Sequence, residues 1–397
     1  MIIGLIIALL LGILFGTITG IFPGIHINLV GAALVALSSS VFSKAPVIYL
    51  VVFISSMAIA HTLLDFIPSI FIGCPETDTE LSILPGHELL KKGQGYEAVM
   101  RTAYGGIYAV FILVIFAFPL AFITNKTYPF VQQIIPYILI LICIIMVISE
   151  KNKLQAATAL ILTGILGFFV LKLDLKESLL PLLGGLFGSS MLLLSIRQNT
   201  KIPPQNFSFK KMKFKEMLKP LSGALISSPI CGFLPGLGGS QAAILGSQIT
   251  RTNEKDFLVL LGAVNVLVMG LSFVSLYSIE KTRTGAAAAI QTISGTLSQT
   301  NLIIILFACL ISGILSFFIA KKLSQTFLKI IERMNYKKFS IGILIFLSLL
   351  ILTLSGIIGF LVFIISTATG IYCISLNIRK TQMMGCLLIP TIILYLF

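Results

Sequence analysis

Two Gly-x-x-Pro-Gly breaks interrupt otherwise apolar sequence in this chain. The first reads Gly20-Ile-Phe-Pro23-Gly24 and runs on through Ile25-His26-Ile-Asn28; the second reads Gly232-Phe-Leu-Pro235-Gly236 and runs on through Leu237-Gly238-Gly239-Ser240-Gln241. Proline has no backbone donor and disfavours helix in the residue before it, and glycine reaches backbone conformations closed to other residues. A helix must therefore end at each break. In hydrocarbon the freed N–H and C=O groups are tolerated only where they are buried in protein or line a polar cavity, and there they are ready-made ligands. The helix that starts after each Pro-Gly points its N-terminus at the break, which suits a carboxylate or phosphate; the carbonyls before it suit a cation. Pro23, Gly24, His26 and Asn28, with Pro235, Gly236, Gly238, Gly239, Ser240 and Gln241, are the candidate substrate-binding residues. One Pro-Gly alone reads as a tight turn at a membrane surface, and two at corresponding positions of two halves favour a site near the midplane.

His61 and Asp65 lie one helical turn apart on one face of the third apolar segment. Ionisable groups inside a membrane segment are functional candidates by default, here for a proton or a coupling cation. A mutual hydrogen bond that holds a kink before Pro68 is the structural alternative. Asn265 occupies the corresponding segment of the second half, where a buried amide serves equally as a ligand or as a bond between helices. Lys281 and Arg283 lie in Glu280-Lys-Thr-Arg-Thr-Gly285, which opens a short Ala-rich piece; they either clamp an anion or belong to a charged loop. His61, Asp65, Asn265, Lys281 and Arg283 are thus the candidate coupling or gating residues. Glu76, Asp78 and Glu80 read as a solvated acidic loop, and no metal site is expected.

These residues sit in a chain that is 57% hydrophobic and 11% charged, where soluble domains average about 45–50% and about 25%. No soluble fold hides so much apolar surface, and a helix needs roughly 20 apolar residues to cross about 30 Å of hydrocarbon. The fold class expected is an all-α polytopic membrane protein. Apolar runs fall near 2–19, 25–42, 46–72, 98–124, 129–149, 154–171 and 179–196, and again near 220–231, 238–250, 256–279, 284–296 with 299–320, 340–355, 357–376 and 381–397. The run over 2–15 lacks the basic flank and cleavage pattern of a signal peptide and reads as the first span. Between the halves, Lys201, Lys210, Lys211, Lys213 and Lys215 mark a polar stretch. The organisation expected is a first membrane repeat over 1–196, a basic cytoplasmic linker over 197–219 and a second membrane repeat over 220–397.

A net charge of +14 would suggest nucleic acid in a soluble protein. Here it follows from retention of Lys and Arg on the cytoplasmic side, and no nucleic-acid partner is expected. Alternating sides outward from the linker leaves outside only Lys44, Lys126, Lys172, Lys176, Lys281 and Arg283, with both termini external. An odd number of segments in each half, about seven, makes the repeats inverted in topology with broken or re-entrant helices, a construction of many secondary transporters. The six cysteines are scattered without C-x-x-C spacing and read as small buried hydrophobes.

No H-E-x-x-H, G-x-S-x-G or Walker Gly-Lys-Ser/Thr motif occurs in the sequence. An enzyme is therefore not expected, and transport would draw on a gradient of Na+ or H+ without a bound cofactor. The stretch Leu84-Pro-Gly86-His87-Glu88-Leu-Leu-Lys91-Lys92-Gly93-Gln94-Gly95-Tyr96-Glu97-Ala98, with the two breaks, resembles the large membrane subunit of the tripartite tricarboxylate transporters in its shorter archaeal-type form. That family's Gly followed by Lys-Lys-Gly-x-x-x-x-Ala is met at Lys91-Lys92-Gly93 and Ala98. The resemblance covers both halves and implies a cation-coupled permease of the cell membrane for a di- or tricarboxylate. It also implies a small membrane subunit and an extracytoplasmic binding protein. The partners named by this reading are a small organic anion, the lipid bilayer, those two subunits and a second copy in a homodimer. A carrier of an anionic lipid headgroup such as a polyprenyl phosphate, and a non-transporting membrane scaffold or enzyme, are the alternatives.

Overall fold

A computed structural model describes residues 2–22, 30–31, 34–35, 45–73, 79–173, 175, 178–197, 203–209, 212–232, 239–282, 284–333 and 336–396. Among them every regular element is helical. In chain order these are α1 (Ile2–Ile21), α2 (Val47–Leu64), α3 (Phe66–Ile72), α4 (Ile83–Lys91), α5 (Gly95–Ile148), α6 (Lys153–Lys172), α7 (Leu179–Leu183), a π-helical turn (Gly184–Ser189) and α8 (Ser190–Arg197). The second half continues with α9 (Phe214–Gly232), α10 (Gly239–Thr250), α11 (Glu254–Ile279), α12 (Gly285–Ser294), α13 (Gln299–Arg333), α14 (Tyr336–Ser375) and α15 (Gly385–Leu396). Seven helical stretches among the described residues are long and apolar enough to cross a membrane: Ile2–Ile21, Val47–Ile72, Gly95–Phe130, Lys153–Lys172, Glu254–Ile279, Gln299–Glu332 and Ser340–Ser375.

Two segment boundaries show how local chemistry decides continuity. A boundary is expected near 125–128, yet α5 runs unbroken through Asn125-Lys126-Thr127-Tyr128-Pro129. There the polar side chains fold back onto the helix: Thr127 Oγ1 donates to the Ile123 carbonyl at 2.8 Å, and the Lys126 ammonium lies 4.4 Å from the Phe122 ring centroid. The boundary expected at Gly356 is present, because this glycine adopts φ 67° and ψ −166° inside α14. Only a residue without Cβ sits there at little cost.

The chain forms two compact units interleaved in sequence, one from Met1–Pro68, Tyr96–Pro129 and Phe207–Thr326, the other from Ser69–Gly95, Phe130–Asn206 and Phe327–Phe397. In the first, α11 is the core. Its span is buried throughout, because glycines bring neighbouring backbones onto it. A Cβ at Gly262 would stand 2.1 Å from the Thr102 carbonyl oxygen of α5, and one at Gly105 would stand 2.0 Å from that of Val259. Without hydrophobic drive between helices in lipid, such close backbone approach is what packs them. On α1, Gly12, Gly16 and Gly20 form the corresponding stripe against Ser56, Met57 and His61 of α2. Ile3, Ile7, Leu10 and Leu14 on the remaining surface of α1 stay exposed, as a lipid-facing side must.

In the second unit Gly185 of the π-helical turn faces Ser366 of α14, and Gly370 of α14 faces the Leu186 carbonyl. Ser189 and Thr367 hydroxyls bridge the two at 2.5 Å. The Lys91-Lys92-Gly93 segment caps α4: Gly93 takes φ 75°, and Gln94 N–H donates to the Leu89 carbonyl at 2.7 Å. Gln205 then clamps the turn. Its Nε2 donates to the Leu90 carbonyl and its Oε1 accepts from Gly95 N–H, both at 2.9 Å, while its own N–H donates to Glu332. Gln205→Ala leaves the buried Gly95 N–H unpaired, while the Leu90 carbonyl keeps its bond from Gly93 N–H at 3.1 Å, and is expected to destabilise the fold by about 1–3 kcal/mol. A lowered melting temperature in detergent checks this, and an unchanged one counts against the clamp.

Candidate functional site

α1 stops at Ile21, at the first break, and at the second the described helices run to Gly232 in α9 and from Gly239 in α10. Pro23, Gly24, His26, Asn28, Pro235, Gly236, Gly238 and Arg283 lie outside the described residues. The described flanks of the breaks carry the geometry.

At the first break a polar cluster is buried between α1, α2 and α11. The Cβ position of Gly20 lies 3.0 Å from the His61 carbonyl oxygen and 3.3 Å from Asp65 N. One residue earlier on α1, Thr19 Oγ1 lies 3.0 Å from His61 Nδ1. Asn265 of α11 then reaches across, its Nδ2 donating to Asp65 Oδ2 at 3.1 Å and to the Thr62 carbonyl at 3.2 Å. His61, Asp65 and Asn265 are only 2%, 3% and 4% exposed. Asp65 ends α2 because Pro68 cannot donate to the Leu64 carbonyl, so the helix assignment lapses and restarts at Phe66. A carboxylate so buried carries a large desolvation cost unless it is protonated or paired with a cation. The cluster therefore brings together an ionisable carboxylate, a second titratable ring and an oxygen-rich surround.

At the second break Gly239, Ser240 and Gln241 open α10 and are buried. α9, α10 and α11 pack on one another, with Gly223 and Gly246 backing onto each other at 2.9 Å between carbonyl oxygen and Cβ position. Ser227 and Ser228, fully buried near the end of α9, carry hydroxyls without a hydrogen-bond partner among the described residues. Beyond the first break, the Cβ position of Gly31 lies 3.3 Å from the Ala289 Cβ of α12. α12 packs against α2 and is capped by Thr284, whose Oγ1 accepts from Ala287 N–H at 3.2 Å and lies 2.8 Å from Ser272 Oγ of α11. Lys281 is exposed in the connection before α12.

Sequence reading passed over His87, which the structure buries on α4 at 1% exposure with neither ring nitrogen partnered among the described residues. The available signal was a histidine among the apolar positions of the Lys-Lys-Gly stretch. Burial, then the charges of Lys91 and Lys380, push its imidazole down to about 3 from 6.5. The unfolded chain takes up this proton near 6.5 and the folded chain only near 3, so stability is complete above the higher value and falls as the pH drops below it. Melting temperatures between about pH 8 and pH 5 are expected to decline in the parent and to flatten in His87→Gln.

The family follows from comparison along the whole chain. A model of the Tripartite tricarboxylate transporter TctA family matches residues 6–385. The chain belongs to the TctA family. An uncharacterized protein of Methanocaldococcus jannaschii is similar to it, 30% identical over 385 residues that cover 94% of each chain. No solved structure matches. TctA membership, with seven long apolar helices among the described residues, makes the chain a multi-pass membrane protein and a component of a tripartite transporter.

Proposed function

We propose that this TctA protein is the permease that moves a small organic anion, a di- or tricarboxylate, across the cell membrane on a cation gradient. The observation that carries the proposal is the buried Asp65–Asn265 pair set against Gly20 of the first break. It joins an ionisable group, which suits Na+ or H+, to a broken helix, whose free backbone groups suit a carboxylate. The substrate then lies between Pro23, Gly24, His26 and Asn28 of one break and Pro235, Gly236, Gly238, Gly239, Ser240 and Gln241 of the other, with His61, Asp65 and Asn265 serving the coupling ion. Lys281 and Arg283 draw the anion toward the site. The same proposal includes inverted membrane repeats over 1–196 and 220–397, a cytoplasmic linker over 197–219, and assembly with a small membrane subunit and an extracytoplasmic binding protein.

Proteoliposomes test it. With the two partner subunits present, uptake of citrate, succinate or malate under an imposed Na+ or H+ gradient is the expected result. Asn28→Ala and Ser240→Ala are expected to lose substrate binding while the protein stays monodisperse. Absence of uptake across that panel under both gradients would sink the proposal.

A further inference from the structure

We propose that His87 is an anion-linked proton site: a carboxylate group docks against its imidazole, and the ring takes one proton from solvent as it does so. The inference rests on the permease reading and names H+ as an ion that moves with the anion.

The geometry begins with the ring itself. His87 is buried with Nδ1 and Nε2 both unpartnered among the described residues, and a buried polar group left so forfeits its hydration without return. A ring kept at that cost is suited to a partner that comes and goes. Gly73 stands directly against the ring: its φ of +74° is in the left-handed region, and its Cβ position lies 3.3 Å from His87 Nε2 and 3.4 Å from Cε1. Any side chain at position 73 would stand against the ring where a ligand atom would otherwise approach it. α4 and the helical turn Glu80–Ser82 both pack on the π-helical turn Gly184–Ser189. π-turns recur at functional sites, where the irregular backbone allows a change of register.

Charge selects the ligand. Lys91, one turn along α4, and Lys380, which opens the turn before α15, are the charged groups that act on the ring. Glu88 on the same helix acts on Lys91. The π-helical turn and the end of α3 contribute no titratable side chain, and Glu76, Asp78 and the side chain of Glu80 lie outside the described residues. A neutral imidazole under the field of two ammonium groups offers one N–H donor and a positive potential, which suits a carboxylate. Once seated, the anion pairs with the imidazolium, which compensates the burial that chiefly disfavours the charged ring, and offsets the lysine field, so the bare ring nitrogen gains a proton from solvent. One ring N–H bond forms as one O–H bond of a solvent hydronium ion breaks, and the anion keeps its charge while its complex with the ring gains one positive charge. Release of the anion restores the lysine field and returns the proton.

The test uses the purified full-length protein and citrate, succinate and acetate as probes. Calorimetric titration near pH 7 in buffers of different ionisation heat reads proton uptake on binding. In the parent, at least one probe is expected to bind with uptake approaching one proton. His87→Gln is expected to bind at least tenfold more weakly with no uptake. Lys91→Gln retains the ring and removes one of the two ammonium groups that attract the carboxylate, so binding is expected to weaken several-fold while the free ring, still buried, stays neutral near pH 7. This second variant decides the matter if His87→Gln does not fold. Unchanged affinity and uptake in His87→Gln, unchanged affinity in Lys91→Gln, or failure of all three probes to bind the parent overturns the inference. The permease reading fails separately, through absent uptake in proteoliposomes; uptake that persists in His87→Gln with the parent's proton count overturns only the His87 site.

Discussion

Asp65→Asn is expected to lower gradient-driven uptake by about 100-fold or more, which corresponds to about 2.7 kcal/mol of lost stabilisation, while the protein elutes from size exclusion as the parent does. The substitution is nearly isosteric, and the new amide oxygen still accepts from Asn265 Nδ2, now 3.1 Å from Asp65 Oδ2. What it removes is the negative charge. A cation held by that charge is lost outright, and a proton exchanged there has no carboxylate to leave. Asn265→Ala acts differently. It withdraws the donor from both Asp65 and the Thr62 carbonyl, so a smaller loss of uptake and a loss of stability of about 1–3 kcal/mol are expected together. The double variant should then show far less than the sum of the two effects on uptake, since the residues act on one another. Uptake by Asp65→Asn at the parent's rate under both Na+ and H+ gradients would remove Asp65 from the coupling role.

Gly262→Val is expected to abolish the folded protein. The first atom of the new side chain falls 2.1 Å from the Thr102 carbonyl oxygen and 2.7 Å from its carbonyl carbon. These are backbone atoms of a neighbouring helix, which no rotamer change can move. Overpacking usually costs about 1–3 kcal/mol where side chains can adjust, and here the helices α5 and α11 must separate along the contact that Gly105 makes from the other side. Loss of the monodisperse peak, with aggregation on extraction, is the measurement. Gly342→Ala supplies the control: nothing lies within 4 Å of its Cβ position in α14, so it should express at the parent's level and gain about 0.5–1 kcal/mol from helix propensity. Equal loss in both variants would mean that close approach at Gly262 is not what holds the core.

Composition and punctuation were enough to read a membrane protein built of helices, and the physical reason is strict. In hydrocarbon every backbone group must bond within its own segment, so long apolar runs can only be helices and Pro-Gly pairs can only end them. That logic placed the end of α1 and the break at Gly356. It placed Asp65 on a face with His61, and Asn265 on another segment, as candidates. It misplaced the boundary within α5, because a short polar run breaks a helix only when its side chains compete for the backbone, and Thr127 instead bonds back to Ile123.

What tertiary structure alone decided is which of these segments meet. Asn265 and Asp65 are bonded across two helices, and Gly20 rests on His61, Leu64 and Asp65; periodicity along one helix carries no information about the identity of its neighbour. The glycines of α1, α5 and α11 read as ordinary membrane residues until their carbonyl partners are known. His87 is the sharpest instance. Its position in the Lys-Lys-Gly stretch was plain, but only the fold shows that both ring nitrogens are buried beside Gly73 with Lys91 and Lys380 acting on them. Desolvation and the field of distant charges are properties of the folded surround, so the chemistry of that ring could not be read from its neighbours in sequence.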